Sequence, residues 1–153
     1  MVSERHAIAD RIDREHKDIR RSIGQLELNI LQRFSEKTFP DWRLTMILDM
    51  RDFQSQLLKH FDVEEEGGFL QSVLSALPHA EYQVHALRDE HQEMIMRLNR
   101  ILDKLRSMQA PSAEIQQELH QDLHGLLREL IQHEEQEHIL LQETFYRDIG
   151  GPA

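Results

Sequence analysis

The sequence predicts an all-α protein, an up-down-up-down antiparallel four-helix bundle forming a single domain over residues 1–153. The chain is 153 residues long, the size of one ordinary domain. Leu, Glu, Gln, Arg and Met are abundant, and all of them favour helices, whereas the sustained alternation typical of strands is missing. Prolines and glycines divide the chain into four stretches with short connections, which make neighbouring helices antiparallel.

The four stretches are delimited by breaks at Pro40, Pro78 and Pro111. Asp41 and Ser112 stand at the starts of the second and fourth stretches and are predicted to cap those helices. A pair of glycines at 67–68 is a weaker break inside the second stretch. The predicted helices cover roughly residues 4–35, 41–77, 79–109 and 112–148.

Each stretch carries an apolar seam in which residues recur every three or four positions. A histidine interrupts every seam, and in the second and fourth stretches a glutamate follows it four residues later. Residues four apart lie on one helix face, one turn from each other. The interrupting residues are His16, His60, Glu64, His91, His133 and Glu137.

The chain also contains an internal repeat of two helical hairpins, about 4–77 and 79–148, with a core over about 8–145. Each hairpin supplies one lone histidine from its first helix and one His-x-x-x-Glu from its second. Packed about a pseudo-two-fold axis, the two hairpins would bring the six interrupting residues to a common centre.

These six residues are predicted to bind metal. A lone histidine in a core is more often a hydrogen-bonded structural residue, and a polar network is an alternative for a larger group. However, an unpaired buried carboxylate costs several kcal/mol, and cations compensate six such groups directly because imidazole and carboxylate become ligands. Nitrogen and carboxylate donors without cysteine favour Fe, Mn or Zn over Mg or Ca.

Three short motifs together resemble the hemerythrin family, specifically the hemerythrin-like HHE cation-binding domains. The motifs are His60-Phe61-Asp62-Val63-Glu64-Glu65-Glu66, Glu90-His91 and His133-Glu134-Glu135-Gln136-Glu137. The resemblance implies a non-haem centre of two iron ions, oxo- or hydroxo-bridged, with Zn or Mn as other metals. It further implies that the four seam histidines are terminal ligands and that Glu64 and Glu137 bridge the ions.

The sequence departs from oxygen-carrying hemerythrins at two positions. Those carriers have a second histidine four residues after the third-helix histidine, where this chain has Ile95. They also have an aspartate five residues after the last histidine ligand, where this chain has His138. The iron bound by His91 would therefore keep one coordination position that small ligands can occupy, unless a π-bulge in the last helix brings in His138 as an additional ligand.

The resemblance implies binding of dioxygen or a related small ligand, such as an oxidant or nitric oxide, for sensing, storage or detoxification. A small di-iron oxidase, peroxidase or ferroxidase is the alternative, and a structural or regulatory Zn or Mn module is a third. A binding or sensing protein is favoured over an enzyme because only two carboxylates lie in the seams.

Composition excludes several other classes. The formal net charge of −10 argues against nucleic acid and anionic membranes as partners. No apolar run approaches the roughly 20 residues of a membrane span, and the first residues lack the apolar segment of a signal peptide. With no cysteine for disulfides, a cytoplasmic protein is expected, and no motif indicates a protein partner.

Overall fold

A computed structural model of the chain describes residues 4–146, and the side chains of residues 6–145 within that range. Over this range the chain is helical and contains no strand, so the predicted all-α fold is confirmed. The helices are α1 (Glu4–Ile30), α2 (Phe39–Glu65), the short α3 (Phe69–Ala76), α4 (Glu81–Ser107) and α5 (Ala113–Leu141). A 3-10 turn at Pro78–Ala80 leads into α4, and a π-helical turn at Gln142–Tyr146 follows α5.

The four long helices form the predicted bundle, in which each helix packs against two neighbours. α1 contacts α2 and α5, and α4 contacts the same two helices, so the cyclic order around the bundle is α1, α2, α4, α5. α3 lies across one end, where it contacts α1, α2 and α4. No helix within residues 4–146 is both long enough and apolar enough to cross a membrane.

The helix starts confirm one predicted cap and correct the other. The Ser112 hydroxyl accepts a hydrogen bond from the amide of Ile115 at 3.1 Å, as predicted for the start of α5. The predicted cap at Asp41 is wrong, because α2 begins at Phe39, with Thr38 before it and a proline in its first turn. Proline is well suited to this position because the first helical amides have no partner within the helix.

The predicted helix over residues 41–77 is divided in two at the glycine pair. Gly68 has a φ of +94°, in the left-handed region that L side chains rarely adopt. At Gly67 a Cβ atom would collide with the carbonyl group of Val63. The two glycines therefore turn the chain sharply and lay α3 across the end of the bundle. At the other ends, α1 stops at residue 30 rather than 35, and residues 147–148 of the last predicted stretch lie outside the described range.

The apolar interior consists of two clusters. The main cluster contains the buried apolar residues of 19–30 in α1, 39–61 in α2, 94–108 in and just after α4, and 119–130 in α5. The α3-end cluster consists of Ala9, Ile12, Phe69, Leu70, Val73, Ala80, Val84, Leu87, Leu140, Leu141 and Phe145. On α1, α4 and α5 the interrupting residues lie between these clusters: His16, for example, lies between Ile12 and Ile19. On α2 the main cluster continues past His60 to Phe61, and Glu64 follows it. A layer of polar side chains therefore separates the two clusters.

Candidate metal centre

The structure brings all six predicted residues together in this polar layer. Both carboxylates are fully buried, with 0% of the Glu64 and Glu137 surfaces exposed, and the four imidazoles are also buried. Each histidine directs Nε2 toward a carboxylate. The shortest such distances are 3.0 Å from His91 to Glu64, 3.4 Å from His60 to Glu64, 3.2 Å from His16 to Glu137 and 3.2 Å from His133 to Glu137.

The donor atoms form two overlapping groups, each with four residues. Within a group, all donor atoms lie within 4.8 Å of one another. The first group is His16, His60, Glu64 and Glu137, and the second is Glu64, His91, His133 and Glu137. Both carboxylates belong to both groups, so the two candidate donor groups overlap at Glu64 and Glu137.

Most of the buried polar atoms of the site are left without hydrogen bonds to one another, as expected for ligands of a cation. The His16 Nε2 atom and all four carboxylate oxygens of Glu64 and Glu137 are buried and make no hydrogen bond of ordinary geometry. Orphaned buried groups of this kind are rare, since each costs desolvation free energy. A cation would satisfy all five atoms at once, and this nitrogen and oxygen donor set suits Fe, Mn or Zn.

The second group supplies a further sign of fit. The Nε2 atoms of His91 and His133 are only 3.1 Å apart. Each of these rings has a carboxylate on Nδ1 that accepts its proton, which leaves a lone pair on Nε2. In these neutral tautomers both lone pairs point at one position, and a metal ion or a shared proton there would satisfy them.

Electrostatics in the metal-free site shift the pKa values of three of the six residues. Burial alone would raise the pKa of Glu64, but the imidazoles of His133, His16 and His91 hold it well below its ordinary value. Burial also lowers the pKa of His60, despite the nearby Glu64 carboxylate. For His133, burial acts in the same direction, but the nearby Glu64 carboxylate and the hydrogen bond to Glu90 raise the pKa above its ordinary value.

Three further carboxylates orient the imidazoles, and none of them is among the residues predicted from the sequence. Each comes from the preceding helix in the cyclic order and accepts a hydrogen bond from Nδ1. The pairs are Glu15 with His60 at 2.8 Å, Glu65 with His91 at 2.9 Å, and Glu90 with His133 at 2.8 Å. All three glutamates are adjacent in sequence to a seam residue, so they point about 100° away from it and toward the next helix. Acidic residues beside seam residues were the signal that could have identified them.

Between the remaining pair of neighbouring helices, α5 and α1, no carboxylate within residues 6–145 makes such a hydrogen bond to a histidine of the site. Glu134 is buried, with 7% of its surface exposed, and its Oε2 atom lies 3.2 Å from Nε of Arg20. Its Oε1 atom is buried without a hydrogen bond, and burial raises its pKa. Among the residues that the structure describes, the Nδ1 atom of His16 has no hydrogen-bond partner. A groove of about 600 Å³ opens beside His16 and Glu134.

The other residues considered as possible ligands or neighbours of the metal lie outside the cluster of six. His138 is exposed and lines the same groove, and the π-helical turn begins four residues after it, so this turn does not bring its side chain inward. Ile95 is half-buried and packs against the main cluster. On the surface of α5, the Nδ1 atom of His124 makes a 2.9 Å hydrogen bond to Glu27, beside the ring of His120.

Comparison with known proteins agrees with this geometry. The family model of the hemerythrin HHE cation-binding domain matches residues 7–143 of the chain. No curated protein and no solved structure matches it. The family match and the convergence of histidine and glutamate side chains identify a helical metal-binding protein.

Proposed function

The chain belongs to the hemerythrin HHE cation-binding domain family, and from this premise we propose that its six buried side chains hold two iron ions that bind dioxygen or a related small ligand. The related ligands are an oxidant such as peroxide, or nitric oxide. Sensing, storage or detoxification of such a molecule is the proposed role.

The observation that carries this proposal is that both donor groups share both carboxylates. Two independent metal sites would each use their own acidic ligands. Shared carboxylates are instead typical of two-metal centres, in which the ions lie a few ångströms apart. Two carboxylates in a shared position also neutralise much of the repulsion between the two cations. When bound, an iron pair supplies electrons and open coordination positions for a small oxidising ligand.

The chain's own residues prepare the site for such a ligand. The main cluster and the α3-end cluster enclose the polar layer from the two ends of the bundle and limit access of water from those directions. Glu15, Glu65 and Glu90 fix the ring orientation and tautomer of three imidazoles, so that Nε2 is the free donor atom. The depressed pKa of Glu64 keeps its carboxylate ionised and available as a ligand at neutral pH.

A small di-iron oxidase or peroxidase is the second candidate, and Glu134 is the observation that favours it. This buried carboxyl group lies next in sequence to His133 and has a raised pKa. A carboxyl group in this position would relay to the centre the protons that reduction of an oxygen species consumes.

The test begins with the protein reconstituted with ferrous iron under nitrogen. We expect two iron ions per chain and, after air is admitted, the near-ultraviolet and visible absorption of a bridged ferric pair. Removal of oxygen that restores the ferrous spectrum would support a binding protein, and repeated consumption of oxygen or peroxide would support the enzyme.

A matched variant gives the control for this test. His60→Ala should lose iron and the absorption bands, while His124→Ala should retain both, because His124 lies at the protein surface. Protein that stays colourless and binds stoichiometric zinc in preference to iron would overturn the di-iron proposal and support the structural or regulatory module.

A further inference from the structure

The two lone histidines, His16 and His91, occupy equivalent positions in the two hairpins but have different surroundings. The His91 ring is held on two sides. Its Nδ1 atom makes a 2.9 Å hydrogen bond to Glu65, and the Phe61 ring stacks on it with centroids 3.9 Å apart and planes 13° from parallel. Both partners come from α2, so α2 clamps the ligand of α4.

The repeat shows what the equivalent clamp on His16 would be. Aligning His60 with His133 places residues 134 and 138 of α5 opposite residues 61 and 65 of α2. The aromatic ring is therefore replaced by Glu134 and the orienting carboxylate by His138. Both of these side chains line the groove beside His16, and neither makes a hydrogen bond to its ring.

A third pair of equivalent residues strengthens the contrast. One turn after His91 stands Ile95, which packs against the main cluster. One turn after His16 stands Arg20, which extends along the groove and pairs with Glu134 at 3.2 Å between Nε and Oε2. The His91 side is therefore closed by apolar packing, while the His16 side faces a groove with charged walls.

Outer carboxylates of this kind matter for metal affinity, since losing one weakens binding by roughly 10–100-fold. In the second donor group both imidazoles have such a partner, and in the first group only His60 has one. The two groups share the same carboxylates, so this difference between the histidines is what distinguishes their affinities.

From these contacts we infer that the two metal positions are unequal: the His91 and His133 position retains its ion tightly, and the His16 and His60 position exchanges its ion through the groove. Glu134, with a buried Oε1 atom that makes no hydrogen bond, and His138, four residues later on the same helix face, are the donors that a cation meets on this route. The inference rests on the proposed binding of two cations.

The experiment measures release of ferrous iron from loaded protein to a chromogenic chelator under nitrogen. Wild-type protein should lose one ion per chain quickly and the other roughly 10–100-fold more slowly. His138→Glu gives His16 the carboxylate that His91 already has, so it should slow the fast phase toward the slow one. Glu65→Gln should accelerate the slow phase and leave the fast phase unchanged.

The groove is tested by the loading rate of the metal-free protein with ferrous iron. Glu134→Leu should slow uptake of the exchangeable ion at least several-fold without changing uptake of the other, and Glu66→Leu, at the exposed residue that follows α2, is the matched control. Circular dichroism verifies that each variant folds.

Three outcomes would overturn the inference: release of both ions at one rate, a slow phase that belongs to the ion lost on His16→Ala, or equal slowing of both uptake steps by Glu134→Leu. Binding of fewer than two ions by wild-type protein would instead refute the two-metal function. Counting the ions before the kinetics separates these failures.

Discussion

Substitution of Glu64 by glutamine is the sharpest probe of the shared carboxylates. Of the two carboxylates, Glu64 lies close to all four histidines of the site. Its oxygens lie 3.0 Å from His91, 3.4 Å from His60, 3.9 Å from His16 and 4.0 Å from His133, measured to Nε2 in each case. Glutamine keeps the shape of the side chain but removes the charge and one of the two acceptor oxygens.

The expected magnitude follows from the number of donors. Four-ligand structural sites bind zinc with about 10–16 kcal/mol, or roughly 3 kcal/mol per donor, which is about a hundredfold in affinity. Because Glu64 belongs to both groups, Glu64→Gln leaves each with three unaltered donor residues and a single neutral amide oxygen, and should weaken both positions. His16→Ala removes a donor from the first group alone, so it should release one ion and retain the other.

Elemental analysis of protein equilibrated with micromolar ferrous iron under nitrogen distinguishes these cases. We expect two ions per chain in wild-type protein, one in His16→Ala and almost none in Glu64→Gln, with Glu66→Gln as the control. Melting temperature is the second measurement. Metal at a thousand times its Kd stabilises the folded state by about 4 kcal/mol, which corresponds to roughly 8–16 °C for a chain of this size.

A result in which Glu64→Gln keeps one ion would show that this carboxylate serves a single position. Full retention of both ions would show that Glu64 is not a ligand. An identical melting temperature with and without metal in the wild-type protein would refute the buried-ligand assignment altogether.

The remaining predictions concern ligand identity, protonation and the open position. His133→Ala should lose metal whereas His124→Ala should not, and equal losses in elemental analysis would contradict the assignment. In metal-free protein the folded-state pKa of His60 is lowered, so its contribution to stability is present above about pH 6.5 and lost as the pH falls through the folded pKa. His133 has a raised pKa, so its contribution is present below about pH 6.5 and lost as the pH rises through the folded value. Urea unfolding of His60→Gln and His133→Gln across pH 5–8 should therefore differ from wild type with opposite slopes, each at most about 1.4 kcal/mol per pH unit. Ile95→His should lower the azide stoichiometry of the ferric protein and lengthen the lifetime of its oxygen complex, whereas His138→Ala should change neither; the reverse pattern would make His138 the additional ligand.

Much of the fold could be predicted because the same spacing rule applies to every turn of each helix in a bundle. A seam with three- and four-residue spacing fixes which side of each helix is buried, so a histidine or glutamate within it must lie in the interior. This local rule was enough to place His16, His60 and the other seam residues in one layer. It was also enough to predict the four long helices, since their breaks depend on prolines.

The features that escaped prediction depend on geometry between helices. The hydrogen bond from His60 to Glu15 depends on how far α1 is rotated against α2, and a single-helix pattern contains no information on that angle. The same holds for Glu134, whose ion pair with Arg20 of α1 depends on how α5 is rotated against α1. The sharp turn at Gly68 was underestimated for a different reason, because a left-handed φ is only one of several conformations that glycine permits.

The division of the apolar interior by a polar layer has a consequence for how the molecule unfolds. The α3-end cluster joins the two ends of the described chain to α3 and the start of α4, so its contacts are distant in sequence and costly to form. Its connection to the main cluster runs through a layer where two buried carboxylates repel each other unless cations lie between them. Without metal, this end should therefore open as a separate cooperative unit, with faster amide hydrogen exchange in Phe69–Ala76 than in the second half of α4. Bound metal would then be what makes the bundle unfold as a single unit.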